Sequence, residues 1–170
     1  MNRLVVLLCV VLMAMGLLSC HSFVGQDSTN YDRTKIEGTI ANHDTTILYF
    51  MTSWCQASQN NFENNLKPYI GKASDTKAIV VVCLGEIEQI SSLENGNENV
   101  LVCIAPSRLP LLDRMFINKE CKKLLSRYKR ANYVPVGLVC NRKGEIMNWN
   151  TDEGLSRTYG SIYPYLIGWK

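Results

Sequence analysis

One of the seven cysteines of this 170-residue chain stands where a thiol can do chemistry. In the stretch TILYFMTSWCQASQNNF, a β-rich apolar run ends at Trp54-Cys55 and a helical pattern follows, with Ser58 three residues after the cysteine. A thiol at the start of a helix meets unpaired N–H groups and the positive end of the dipole, which favours its ionised, nucleophilic form. A thiolate can attack a disulfide and form a mixed disulfide, but release then requires a second thiol. Ser58 cannot supply one. Its hydroxyl is expected to donate a hydrogen bond to the Cys55 sulfur or to cap the first helical turn. Cys55 and Ser58 are the candidate catalytic pair, in a chemistry that suits reduction or isomerisation of mixed disulfides better than net dithiol oxidation. The rival reading is an idle thiol on a fold that now serves only to bind.

The other cysteines divide by surroundings. Cys9 lies inside the N-terminal apolar run and Cys20 closes it, which leaves Cys55, Cys83, Cys103, Cys121 and Cys140 in the body of the chain. That number is odd, so in an oxidising compartment at least one thiol is expected to be free. Cys83, Cys103 and Cys140 sit in apolar strand patterns, where cysteine behaves as a small buried hydrophobe. Cys121, with Lys119, Lys122 and Lys123 around it, is expected to be partly exposed and is the one candidate for a resolving partner. No metal is expected: no pair of cysteines has Cys-x-x-Cys spacing, and His21 and His43 lie outside the strands. Nothing in the sequence asks for a cofactor.

Met1-Asn2-Arg3 followed by an apolar run over Leu4 to Leu18 has the order of a secretory signal, and the run is shorter than the ~20 residues of a membrane-spanning helix. Leu17-Leu18-Ser19-Cys20 resembles the lipobox of bacterial lipoproteins, which implies cleavage after residue 19 and a lipid on Cys20. The polar segment after it has no sustained period and reads as a tether over residues 20–37, with the folded domain over residues 38–170. The expected location is the bacterial cell envelope, on the periplasmic side and at the outer membrane, since His21 gives no retention signal of the aspartate type. A net charge of +3 is too weak to argue for nucleic acid. The basic run KKLLSRYKR has apolar residues at helical spacing and reads first as a solvated helix face, with contact to anionic lipid as the less expected use.

The elements that must position Cys55 follow from periodicity. Thr46–Thr52, Ala78–Leu84 and Val100–Ala105 are continuous β-branched and aliphatic runs, the pattern of strands buried on both faces. Phe62, Leu66 and Ile70 recur every fourth position and predict a helix that Pro68 kinks and Gly71 stops. Ile87, Ile90 and Leu93 predict a short helix closed by Asn95-Gly96. Apolar residues from Pro110 to Tyr128 predict one broken helix or two. Pro135–Cys140 and Glu145–Trp149 predict a hairpin across Asn-Arg-Lys-Gly, whose Gly144 can take a positive φ. A last helix is expected within Leu155–Trp169, with its aromatic residues packing it. Strands alternating with helices give an α/β fold: a mainly parallel sheet with helices on both faces and an antiparallel edge.

This order resembles the thioredoxin fold, and in particular its envelope members of the TlpA and ResA type. Two stretches carry the resemblance: Trp54-Cys55-Gln56-Ala57-Ser58 at a strand-to-helix turn, and Val134-Pro135 some eighty residues later at the mouth of a hairpin. It implies a three-layer sandwich with a mixed central sheet, a cis-proline at Pro135 facing the reactive cysteine, and substrate contacts from Trp54, Val134 and Pro135. A cis X–Pro bond would leave the Val134 backbone to pair with an extended substrate segment. The partners so implied are protein thiols and disulfides of the envelope. The chain departs from the family in having Ser58 where a second cysteine would stand, and no acidic residue in TILYFMTSW. A peroxidase reading fails because Leu48 occupies the position of the required proline. A monothiol glutaredoxin reading is opposed by Gln56-Ala57 and by the signal segment.

Overall fold

The computed structural model describes residues 30–86, 90, 93 and 97–149. The signal segment, Cys20, most of the expected helix near Ile90 and the expected helix over Leu155–Trp169 lie outside the described residues. The elements are α1 (Arg33–Asn42), β1 (Thr45–Thr52), α2 (Gln56–Asn61), β2 (Lys77–Leu84), β3 (Val100–Ala105), α3 (Pro110–Leu124), β4 (Val136–Cys140) and β5 (Ile146–Trp149).

The five strands form one sheet in the order β3-β2-β1-β4-β5. β1 pairs in parallel with β2 and β2 with β3, whereas β4 runs antiparallel to both β1 and β5. Because strand side chains alternate in direction, each continuous apolar run feeds two cores. Leu48, Phe50, Val80 and Val82 share one core with Ile36 of α1 and Ile117 of α3. Ile47, Tyr49, Ile79 and Val81 share the other with Phe62 and Leu66. The expected three-layer α/β fold with a mixed central sheet is what the structure shows.

The expected tether is corrected by α1. Asp32 Oδ1 caps this helix, accepting from the Thr34 and Lys35 N–H groups at 2.9 and 3.4 Å. Ile36 and Ile40, one turn apart, are both buried against the sheet. Two apolar residues in a polar stretch are too few to show a period, so the helix was hidden in composition. Upstream, Asn30 closes the edge of β3. The Asn30 and Tyr31 N–H groups donate to Ile104 O at 3.1 Å, and the Asn30 amide donates to Val102 O at 3.4 Å. An unpaired strand edge invites association, and this segment blunts it. The folded part therefore includes residues 30–37.

The helix after Cys55 breaks differently from a simple kink. α2 passes into a π-helical turn over Phe62–Leu66 and then a 3-10 turn over Lys67–Lys72, with Pro68 at the start of the latter. Proline offers no N–H to the preceding turn and its ring crowds that turn's carbonyl, so the ladder widens ahead of it. α3 is a single unbroken helix that starts on Pro110. Its Leu111, Leu112 and Met115 are exposed, because the buried stripe runs through Asp113, Ile117, Cys121 and Leu124. Gly144 takes φ 68°, as the hairpin requires, and a Cβ there would lie 2.8 Å from Leu124 O.

Cys121 is likewise corrected: it is fully buried in the core, since the lysines beside it point off the opposite side of α3. Burial pushes its thiol well up, and raises those of Cys83 and Cys140 to about 12. No disulfide joins the five described cysteines.

Ile36→Ala should cost about 2–4 kcal/mol in urea unfolding, the loss typical of a buried aliphatic side chain, where a true tether would give no change. Because the buried thiols keep their protons in the fold after the unfolded chain has lost them, their contribution to stability is complete below pH 9. It should fall as pH rises from 9 towards about 12, which a pH series of melts can read.

Candidate active site around Cys55

β1 is flanked by β2 and β4, and seven of its eight residues are buried. Its end therefore has little freedom. The chain leaves it in a tight bend, with the Ser53 N–H donating to Leu84 O at 2.9 Å and the Cys55 N–H to Thr52 O at 3.4 Å. Gly85, at φ 88°, makes the bend fit: a Cβ there would come within 2.9 Å of the Ser53 Cβ and overlap its hydroxyl. The Gln59 side-chain amide donates to Ser53 O and ties the first turn of α2 back onto the bend.

Cys55 occupies the N-cap position of α2, in extended conformation, and no side chain caps the turn that follows. It is partly exposed, and the other four described cysteines are buried. Of the described thiols, only this one meets solvent at a helix start. Ser58 is fully buried one turn on, and its hydroxyl makes no hydrogen bond. Neither expected partner, the Cys55 sulfur or a first-turn N–H, is reached by it in the structure.

Val134-Pro135 comes to the same end of the sheet. In the antiparallel register Phe50 faces Val136, so the two residues before Val136 run alongside the last residues of β1, just short of the Cys55 bend. The Val134–Pro135 bond is cis. Among the described residues, the Val134 backbone makes no hydrogen bond. The structure thus gathers Trp54, Cys55, Ser58, Val134 and Pro135 around one end of β1. Cys121 is not among them. It sits eight residues beyond Asp113 on α3, about 12 Å along the helix, and inside the core.

Asp113 is the residue that sequence reasoning missed. No acidic residue lies in β1, yet this carboxylate, 2% exposed, reaches the Cys55 bend from α3. Its Oδ2 accepts from Trp54 Nε1 at 2.8 Å and from the Ser107 hydroxyl at 2.7 Å, and its Oδ1 accepts from the Arg108 N–H at 2.9 Å. With three donors on two oxygens, Asp113 fixes the Trp54 ring and the entry to α3 together. The one sequence signal was a carboxylate in the first turn after Leu109-Pro110, which reads as an ordinary helix-start residue. Around this end, Trp54, Leu109 and Tyr133 are 40%, 62% and 55% exposed, an apolar rim beside a thiol.

No family model matches the chain, and no curated protein matches it. Solved structures do resemble it. The exposed lipoprotein thioredoxin of Streptococcus pneumoniae is 13% identical, with 78% of this chain and 89% of that one covered, at a TM-score of 0.46. A thiol:disulfide interchange protein of the thioredoxin family from Chlorobium tepidum is 10% identical, covering 78% and 82%, at 0.45. StoA from Bacillus subtilis is 20% identical, covering 71% and 84%, at 0.41.

Asp113→Ala strands an indole N–H, a hydroxyl and a backbone N–H and should lower stability by about 2–4 kcal/mol, measured by denaturant unfolding. Asp113→Asn, which keeps a carbonyl acceptor, should lose clearly less. Equal losses would mean that the carboxylate's bonds contribute little.

Proposed function

We propose that this chain is a lipid-anchored envelope protein that performs monothiol thiol–disulfide exchange through Cys55. The observation that carries this reading is the contrast among the thiols: Cys55 alone of those described is partly exposed, at the start of a helix and beside an apolar rim. The sulfur attacks one sulfur of a substrate disulfide, forming the Cys55 mixed disulfide and expelling the other sulfur as thiolate. A small-molecule thiol or a second substrate thiol then attacks that mixed disulfide. A substrate thiol that attacks the substrate sulfur expels Cys55 as thiolate and leaves the substrate re-bonded. A small-molecule thiol that attacks the Cys55 sulfur expels the substrate sulfur as thiolate, and a second small-molecule thiol then frees Cys55 as the small-molecule disulfide departs.

Substrate docking falls to the rim and to Val134. An extended protein segment with apolar side chains can lie against Trp54 and Tyr133 while its backbone pairs with the N–H and C=O of Val134, which have no hydrogen-bond partner among the described residues. In this reading Cys20 carries the lipid. With the folded part beginning by residue 30, ten residues of chain hold the domain within about 35 Å of the membrane surface. The anchor faces the periplasm at the outer membrane.

A second reading is favoured by one observation. Ser58 leaves the site without a neighbouring thiol, and Cys121, the other candidate, is in the core. A non-catalytic binding module that keeps the groove would look the same.

The experiment that separates them is turnover of a mixed disulfide between a cysteine peptide and glutathione by the full chain. Cys55→Ala should reduce the rate to background. Ser58→Cys replaces a buried hydroxyl that has no partner by a thiol that packs as a small hydrophobe, so it should fold and gain dithiol reductase activity. A wild-type rate equal to that of Cys55→Ala would establish the binding module.

A further inference from the structure

Outside the Cys55 end, the C-terminal half of α3 carries a cluster of positive charge that the described residues leave unbalanced. Lys119 and Lys122, one turn apart on the outward side of α3, line an open concavity of about 450 Å³ together with Asn118, Tyr128 and Arg130. Among the described residues no carboxylate lines it. The nearby acid, Glu120, is turned inward and is already engaged by Lys123 at 3.1 Å and by the Tyr31 hydroxyl at 2.8 Å. Among the described residues, Lys119, Lys122 and Arg130 have no ion-pair or hydrogen-bond partner.

The third cation is brought to the other two by a loop that is tied down. Arg127 leaves the helix at φ 60°, a left-handed conformation that a non-glycine residue seldom adopts. Asn118 then clamps the loop with every hydrogen-bonding group it has. Its amide nitrogen donates to Arg114 O at 2.9 Å and Ala131 O at 3.1 Å. Its oxygen accepts from the Tyr128 hydroxyl and the Ala131 N–H, both at 2.8 Å. Arg130, immediately before Ala131, is therefore placed beside the two lysines by a rigid floor. Like charges repel, and a surface free to relax would let them spread. Here three donors of one sign converge instead on one hollow.

We propose that this concavity binds a phosphate-bearing anion. Two ammonium groups and a guanidinium match a group with several equivalent acceptor oxygens and a charge near two, better than they match a carboxylate with two oxygens and one charge. The hollow is far larger than a free phosphate ion, so it has room for an esterified one. The same chemistry is offered by a soluble phosphate ester and by the headgroup of an anionic lipid. The site is independent of the reaction assigned to Cys55.

The test is amine footprinting of the full chain, with acylation of each lysine followed by peptide mass spectrometry. Exposed Lys35, on α1, serves as the internal reference. In non-ionic detergent, inorganic phosphate at millimolar concentration should slow acylation of Lys119 and Lys122 at least about threefold relative to Lys35, saturably. In a parallel arm the chain is anchored in phosphatidylcholine vesicles with or without a minority of phosphatidylglycerol. Protection in the first arm identifies a soluble ligand, and protection only by phosphatidylglycerol identifies a headgroup. Either should disappear in Arg130→Gln, an exposed substitution that leaves the Asn118 clamp intact. Protection in neither arm, or protection that persists in Arg130→Gln, overturns the proposal.

Discussion

Everything at the candidate site depends on β1 having no free side. It is hydrogen-bonded to β2 along one edge and to β4 along the other, and covered by helices on both faces. A strand held in this way ends at a defined point in space, and the candidate thiol follows that point directly. The Ser53 bond to Leu84 O and the close fit of Gly85 convert the rigidity of two neighbouring strands into a fixed position for Cys55. The antiparallel partner β4 does the same for Val134 and Pro135, through the pairing of Phe50 with Val136.

Asp113 extends that control to a helix distant in sequence. A buried carboxylate is costly unless its oxygens are satisfied, and here all the donors belong to segments that must meet: the Cys55 bend through Trp54, and the start of α3 through Ser107 and Arg108. The result is a division along α3. Its first turns serve the thiol end and expose Leu111, Leu112 and Met115, whereas its last turns carry the lysines and the clamped loop. Glu120 and Tyr31 join the same helix to the N-terminal segment, so α3 links three parts of the domain.

The strands were legible in the sequence because burial on both faces leaves unbroken runs such as AIVVVCL, and the Gly144 turn because only one residue there accepts a positive φ cheaply. The Cys55 bend was legible from a strand pattern giving way to a helical one. Three features were not. α1 shows only Ile36 and Ile40 in a polar stretch, below what a periodic signal needs. The outward direction of Leu111, Leu112 and Met115 was hidden because the buried stripe of α3 includes charged Asp113 and Glu120, whose partners lie far away in sequence. Cys121 was misjudged for the same reason, its exposure inferred from neighbouring lysines that a helix turns to the other side. Long-range polar pairing leaves no local period to read.

The proposed role of Cys55 as a working nucleophile sets it apart from the other described thiols, which are buried. The most direct measurement is peptide-resolved mass spectrometry of the folded full chain exposed to oxidised glutathione at neutral pH, followed by an excess of reduced thiol. A working Cys55 should give a single glutathione adduct, on Cys55, that the reduced thiol removes completely, with Cys83, Cys103, Cys121 and Cys140 unmodified until the chain is unfolded. A folded chain that forms no adduct at Cys55, or that forms adducts equally at the buried cysteines, would contradict it.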